Sequence, residues 1–146
     1  MKKASIKVEE KIKLVDFVII LLDSRIPLSS KSDLLESITK NKKKLYVLTK
    51  VDLSDSDMTE KWIRELKTSG DDAIALDLTD NNSKKELINK CTEFSSSKKE
   101  KYLQKGIKNV TTRAMVLGIP NVGKSTLINL FVNIFLFLTN WIQYTC

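Results

Sequence analysis

The chain has 146 residues, 42% of them apolar, enough for one domain with a buried core and too few for two. Its formal charge of +7 points to a polyanionic neighbour, nucleic acid or an acidic membrane face, against the plainer reading of a solvated basic surface. There is no histidine, and Cys91 and Cys146 have no CxxC spacing, which excludes zinc sites and histidine-based acid–base chemistry as usually built and fits a reduced, cytoplasmic setting.

In chain order, Lys2 to Leu14 read as a basic amphipathic helix, and Val8-Glu9-Glu10-Lys11 interrupts any signal-peptide core, so nothing at this end directs export. The continuous apolar run from Phe17 to Leu22 predicts a buried parallel strand, ended by Asp23-Ser24-Arg25-Ile26-Pro27. Ser29 to Thr39 predicts one helix, with Leu34, Leu35 and Ile38 on a face. A second strand, Leu45 to Leu48, runs into Thr49-Lys50-Val51-Asp52. It is followed by a helix capped at Ser54 or Ser56 and stopping near Gly70. Ala73 to Leu76 is a third short strand, and Ser83 to about Lys105 a long helix that Ser95-Ser96-Ser97 weakens and Gly106 ends. Strands alternating with helices at these lengths predict an α/β fold with a mainly parallel sheet and flanking helices.

A fourth strand, Ala114 to Leu117, leads into Gly118-Ile119-Pro120-Asn121-Val122-Gly123-Lys124-Ser125-Thr126, a complete GxxxxGK[ST] phosphate-binding loop in the strand–loop–helix context that the motif requires. Gly118 and Gly123 let the backbone bend around a phosphate chain so that successive N–H groups, including those of Val122 and Gly123, point inward. Lys124 supplies a point charge to the β- and γ-phosphates, the Ser125 hydroxyl suits Mg²⁺, and the helix starting near Lys124 and running through Thr126 adds its N-terminal dipole. The alternative, an ordinary strand-to-helix turn, leaves two glycines, a lysine and a hydroxyl in register unexplained.

Beyond Lys124 the chain carries no charge, and residues 131–146 form an atypical apolar tail. A membrane span needs about 20 mostly apolar residues, and Asn129, Asn133, Thr139 and Asn140 dilute this stretch. Three readings stay open, in descending order: a truncated or out-of-frame end of a longer protein, a buried helix followed by a strand, and a membrane anchor. No stable membrane association is expected.

Thr49-Lys50-Val51-Asp52 stands at the C-terminal end of a predicted strand, where open α/β sheets bind ligands. An aspartate there can accept from guanine N1–H and its exocyclic amine, a pair of donors that adenine lacks. The Lys50 stem can lie against the base while its ammonium helps to fix the phosphate loop. Four residues alone also fit a plain polar turn.

Taken together, the motifs resemble those of the circularly permuted GTPases, in particular the ribosome-biogenesis GTPase A group and its mitochondrial relatives. Asp23 to Pro27 is similar to DARxP, Thr49 to Asp52 to NKxD, and Gly118 to Asn129 to GxPNVGKSxLIN, with the base-reading motif ahead of the phosphate loop. The resemblance implies a P-loop NTPase-type fold, permuted and here incomplete, with residues 1–130 as a partial GTPase domain. It implies that Lys124 and Asn121 serve catalysis, Asn121 through a potassium ion, although an asparagine in a glycine-rich turn also simply tolerates unusual backbone. It further implies that Thr49, Lys50, Asp52, Asn121, Val122, Gly123, Lys124, Ser125 and Thr126 hold GTP or GDP, and that Ser125 holds Mg²⁺. The implied partner is the precursor of the large ribosomal subunit, RNA and protein.

The chain departs from the family in three places. Thr49 replaces an asparagine whose amide ties the base site together, so guanine preference is expected to survive through Asp52 in weakened form. Asp77-Leu78-Thr79 leaves only backbone for guanine O6, and no DxPG follows the phosphate loop. The last departure keeps a non-hydrolysing nucleotide-binding fragment, or a truncated product without independent activity, as the alternative to a GTPase. Asp23 and Arg25 are expected to pin the strand-to-loop geometry as an ion pair.

Overall fold

The computed structural model describes the backbone of residues 2–110, 112–119, 122–135 and 141–145, and the side chains of residues 7–110, 112–119 and 122–129. Five parallel strands form one sheet in the order β3-β2-β1-β4-β5: β1 Phe17–Asp23, β2 Lys43–Thr49, β3 Asp72–Ala75, β4 Thr112–Gly118 and β5 Trp141–Thr145. All seven residues of β1 are buried, which is what a central strand covered on both faces requires and why its sequence is an unbroken apolar run.

Alternate residues of β1 serve the two faces. Phe17, Ile19 and Leu21 pack with Leu45, Val47, Leu87 and Leu127, whereas Val18, Ile20 and Leu22 pack with Ile12, Tyr46, Leu48 and Leu66. The first face is covered by α5 (Asn81–Gln104) and α6 (Lys124–Phe135), the second by α1 (Lys2–Ile12) and α4 (Ser56–Thr68). The chain steps outward from β1 to β2 to β3, then returns to place β4 on the other side of β1. The C-terminal ends of β1 and β4 therefore flank a topological switch point, the place where open α/β sheets hold ligands.

Several expected elements shift for identifiable reasons. The single helix over Ser29 to Thr39 is two, α2 (Pro27–Ser30) and α3 (Asp33–Ile38), with Lys31 extended between them. Ser30, fully buried, accepts from the Asp23 N–H at 3.1 Å and donates to the Pro27 carbonyl at 3.0 Å, so it is anchored at the end of β1 and the chain must turn after it. The cap of α4 is Asp55, whose carboxylate accepts from Met58 N–H at 3.1 Å, in place of either neighbouring serine. Asp80 caps α5 in the same way, and the serine run does not interrupt that helix because Ser95 and Ser96 return their hydroxyls to the carbonyls of Thr92 and Glu93. Gly106, at φ 78°, ends it.

The boundary expected near residue 130 falls inside α6, and β5 pairs in parallel with β4 over Thr112↔Trp141 to Val116↔Thr145. The helix-then-strand reading thus describes the backbone at 124–135 and 141–145. No helix among the described residues is long and apolar enough to cross a membrane.

Candidate nucleotide site

The site is built at the C-terminal ends of β1, β2 and β4. Gly118 closes β4 where only glycine fits: a Cβ there would lie 2.8 Å from Val122 Cγ1 and 3.2 Å from the Leu21 carbonyl oxygen. Gly123, at φ 106°, adopts a conformation open to glycine alone at low cost, and a Cβ would come 3.2 Å from Leu78 Cδ1. Both positions lie ahead of α6, which starts at Lys124. Lys124 Nζ donates to the Gly118 carbonyl at 2.8 Å, bridging the loop it follows. Ser125 and Thr126 are exposed in the first turn of α6, beside the positive end of the helix dipole.

Two adjoining cavities open here. One, of about 380 Å³, is lined by Lys50, Gly123, Lys124, Ser125 and Thr126. The other, of about 290 Å³, is lined by Thr49, Lys50, Asp52, Leu53, Val122, Gly123 and Thr126 together with Asp77, Leu78 and Thr79 from the turn after β3. Lys50, Gly123 and Thr126 belong to both, so the two form one continuous cleft, with Lys124 and Ser125 at one end and Leu53 and Leu78 walling the other. Every residue expected at the site lies on this cleft except Asn121, which falls outside the described residues.

Lys50 has a left-handed backbone, φ 59° and ψ 38°, the one non-glycine residue with positive φ among those described. This turn lifts Asp52 into a single 3-10 turn, Val51–Leu53, at the lip of the cleft. Such a conformation in a lysine persists only where its surroundings hold it. They do: the Lys50 ammonium sits 3.2 Å from Asp23 Oδ2. The same carboxylate receives Arg25 Nε at 3.0 Å, Arg25 Nη2 at 2.7 Å and the Arg25 backbone N–H at 3.0 Å. The Arg25 guanidinium, with its backbone N–H and the Lys50 ammonium assisting, holds the Asp23 carboxyl well below the usual carboxylate range despite its burial. The Asp23–Arg25 ion pair is thus present as expected, and the third partner, Lys50, is the feature that sequence reading missed.

Thr49 also behaves differently from expectation. It is 1% exposed, and its hydroxyl donates to the Val122 carbonyl at 2.7 Å, joining β2 to the phosphate loop across 73 positions of sequence. A hydroxyl at this position therefore makes a tie of its own between β2 and the phosphate loop. Ser24 completes the junction by donating its N–H and its hydroxyl to the Thr49 carbonyl at 3.0 and 2.6 Å. In the turn after β3, Asp77 Oδ1 accepts from the Thr79 N–H at 2.9 Å and from the Thr79 hydroxyl at 2.6 Å, which fixes the far wall.

The donor set suits Mg²⁺ bound beside a phosphate chain. The Ser125 hydroxyl faces the same cavity as Lys124, and Mg²⁺ ordinarily completes its shell with phosphate oxygens and water.

No protein-family model matches the chain. Ribosome biogenesis GTPase A of Bacillus cereus is 43% identical over 129 residues, 88% of this chain and 44% of that protein. Mitochondrial ribosome-associated GTPase 1 of Bos taurus is 34% identical over 130 residues, 88% of this chain and 38% of that protein. The crystal structure of GNP-bound YlqF from T. maritima superposes with a TM-score of 0.66 at 26% identity, covering 87% of this chain and 46% of that one. A GDP-bound YlqF structure gives 0.64 at 25% identity, covering 84% and 46%. The chain spans less than half the length of the curated relatives it matches. In sequence and in fold, this stretch of chain is similar to part of ribosome biogenesis GTPase A and of YlqF.

Proposed function

We propose that the cleft at the switch point binds GTP and GDP with Mg²⁺, as part of a protein that hydrolyses GTP while acting in assembly of the large ribosomal subunit. The observation that carries the reading is the meeting, in one cleft, of Lys124, Ser125 and Gly123 from the phosphate loop with Lys50 and Asp52 from the turn after β2, two strands away in the sheet. Relatives and neighbours support it: their names and titles specify GTPases of ribosome biogenesis and nucleotide-bound forms.

In this arrangement the N–H groups around Gly123 and the start of α6 bind the phosphates, and Lys124 leaves the Gly118 carbonyl to neutralise them. The Ser125 hydroxyl would hold Mg²⁺, which supplies charge neutralisation between the phosphates. Lys50 is positioned along the cleft by Asp23, and the Asp52 carboxylate accepts from guanine N1–H and the 2-amino group. Adenine cannot supply those donors, and a carboxylate left unpaired against the base disfavours it. Asn121 would serve a potassium ion that assists hydrolysis.

The Asp52→Asn variant tests the assignment. Its amide donates where the carboxylate only accepted, so affinity moves from guanine toward xanthine nucleotides. Competition binding with GDP and XDP measures this, and undiminished guanine selectivity would show that another residue reads the base. A second reading is nucleotide binding by this stretch of chain without hydrolysis. Single-turnover GTP hydrolysis by the chain decides between the two.

A further inference from the structure

The positive charge is not spread evenly over the molecule. The register places the first residues of β1 and β2 side by side, Phe17 against Lys43, with Ala114, two residues into β4, on the other side of Phe17. α5 starts at the nucleotide edge, after β3, and ends at this opposite edge, so its last turns meet the strand starts. Lys98 Nζ lies 2.9 Å from the Asp16 carboxylate just ahead of β1, and Lys42 Nζ donates to the Val15 carbonyl at 2.8 Å. Lys43 Nζ stands 5.2 Å from the centre of the Phe94 ring. Along α5 itself, Lys98, Lys101, Tyr102 and Lys105 recur at i, i+3, i+4 and i+7, one stripe of the helix.

Tyr102 is 38% exposed, and the ammoniums of Lys98 and Lys105 stand over its ring, 5.6 and 6.0 Å from the centre. Carboxylates at the same sheet edge are Asp71 and Asp72 at the start of β3, which pair with Lys44, Lys67 and Lys90, together with Asp16, which pairs with Lys98, and Glu93 and Glu100 on α5. Against the last three stand Lys42, Lys43, Lys98, Lys99, Lys101 and Lys105. The part of the edge around α5 thus keeps a surplus of lysines around an exposed aromatic ring. This is the composition of a site that holds phosphates by charge and a base by stacking.

We infer that this face, Lys42 and Lys43 with the Lys98–Lys105 stripe and Tyr102, binds a single-stranded segment of RNA. The inference deepens the ribosome-assembly reading and rests on it for the choice of RNA. Seating on an acidic membrane is the weaker fit, because a helix lying in a membrane surface needs a continuous apolar face, and Ser95, Ser96 and Ser97 occupy the turn ahead of the stripe. Lying at the far end of α5 from the cleft, the surface leaves the nucleotide site open while RNA is bound.

The test is fluorescence anisotropy of the chain with a labelled 12-nucleotide single-stranded RNA at several KCl concentrations, beside GDP titrations of the same proteins. The Lys101→Gln/Lys105→Gln variant lowers the slope of log K against log [salt] by about 1.4, the share of two neutralised phosphates on a single strand. Tyr102→Ala weakens binding by about fivefold or more with little change of slope, because it removes stacking and not charge. Both variants keep wild-type GDP affinity. Wild-type RNA affinity and slope in both variants would overturn the inference, as would binding of phosphatidylserine vesicles in place of RNA. A chain that binds GDP and not RNA overturns this inference alone; one that binds RNA as described and not GDP overturns the nucleotide reading alone.

Discussion

Replacing Asp23 by asparagine keeps the shape of the side chain and removes the charge on which three groups converge. The carboxylate is 6% exposed and accepts from Arg25 Nε, Nη2 and N–H and from Lys50 Nζ. A hydrogen bond to a charged group contributes about 1.5–3 kcal/mol when buried, whereas exposed ion pairs contribute about 0–1 kcal/mol. Arg25 and Lys50 are 45% and 31% exposed, so they regain water when released and the loss falls between these limits. A cost of about 2 kcal/mol for Asp23→Asn is the expected outcome, read as a fall in Tm of roughly 4–8 °C for a chain of this size. Because the folded-state acidity of Asp23 is raised, its contribution is complete above the unfolded carboxyl pKa of about 4 and is lost as pH falls below it. The gap between wild type and variant therefore narrows by on the order of 1 kcal/mol between pH 5 and pH 3. GDP affinity falls as well, since Lys50 loses the anchor that holds it along the cleft. A variant melting within a degree of wild type at pH 7, or a gap that does not change with pH, would refute the role given to this carboxylate.

Thr49→Val removes the hydroxyl without changing the side-chain shape and takes a donor from the buried Val122 carbonyl, at a cost of about 1–3 kcal/mol. Calorimetric GDP titration should show affinity falling between about fivefold and a hundredfold; unchanged affinity would mean that the loop holds itself. Lys124→Ala removes the main counter-charge to the phosphates and abolishes detectable GDP binding in the same assay, while far-UV circular dichroism stays native. Burial pushes the Cys91 thiol up to about 12, so iodoacetamide at pH 8 leaves Cys91 unmodified in the folded chain and labels it on denaturation, as peptide mass spectrometry reports. Rapid native labelling of Cys91 would contradict the packing beneath α5.

What the sequence discloses is what is encoded locally. The phosphate loop is legible because its glycines, lysine and hydroxyl lie within nine consecutive positions, each answering to a constraint on the backbone or the anion. The buried strands are legible because central parallel strands must be apolar throughout. The bond from Thr49 to Val122 spans 73 positions and that from Lys50 to Asp23 spans 27, and no pattern along the chain marks either. Thr49 read only as a missing asparagine for this reason, although its hydroxyl reaches the Val122 carbonyl. The cap at Asp55 and the break at Lys31 turned on which of several polar neighbours would find a partner in the folded chain. After Lys124 the composition suits a buried helix, a strand and a membrane segment alike, so periodicity could not separate them.

In the function proposed above, the order of motifs in this chain builds a guanine-selective site at the β1–β4 switch point. Parallel titrations of the purified chain with fluorescent GDP and fluorescent ADP, in potassium buffer with Mg²⁺, test it most directly. Saturable binding of GDP with at least tenfold weaker binding of ADP is the predicted result. Equal binding of the two, or binding of neither, would contradict it.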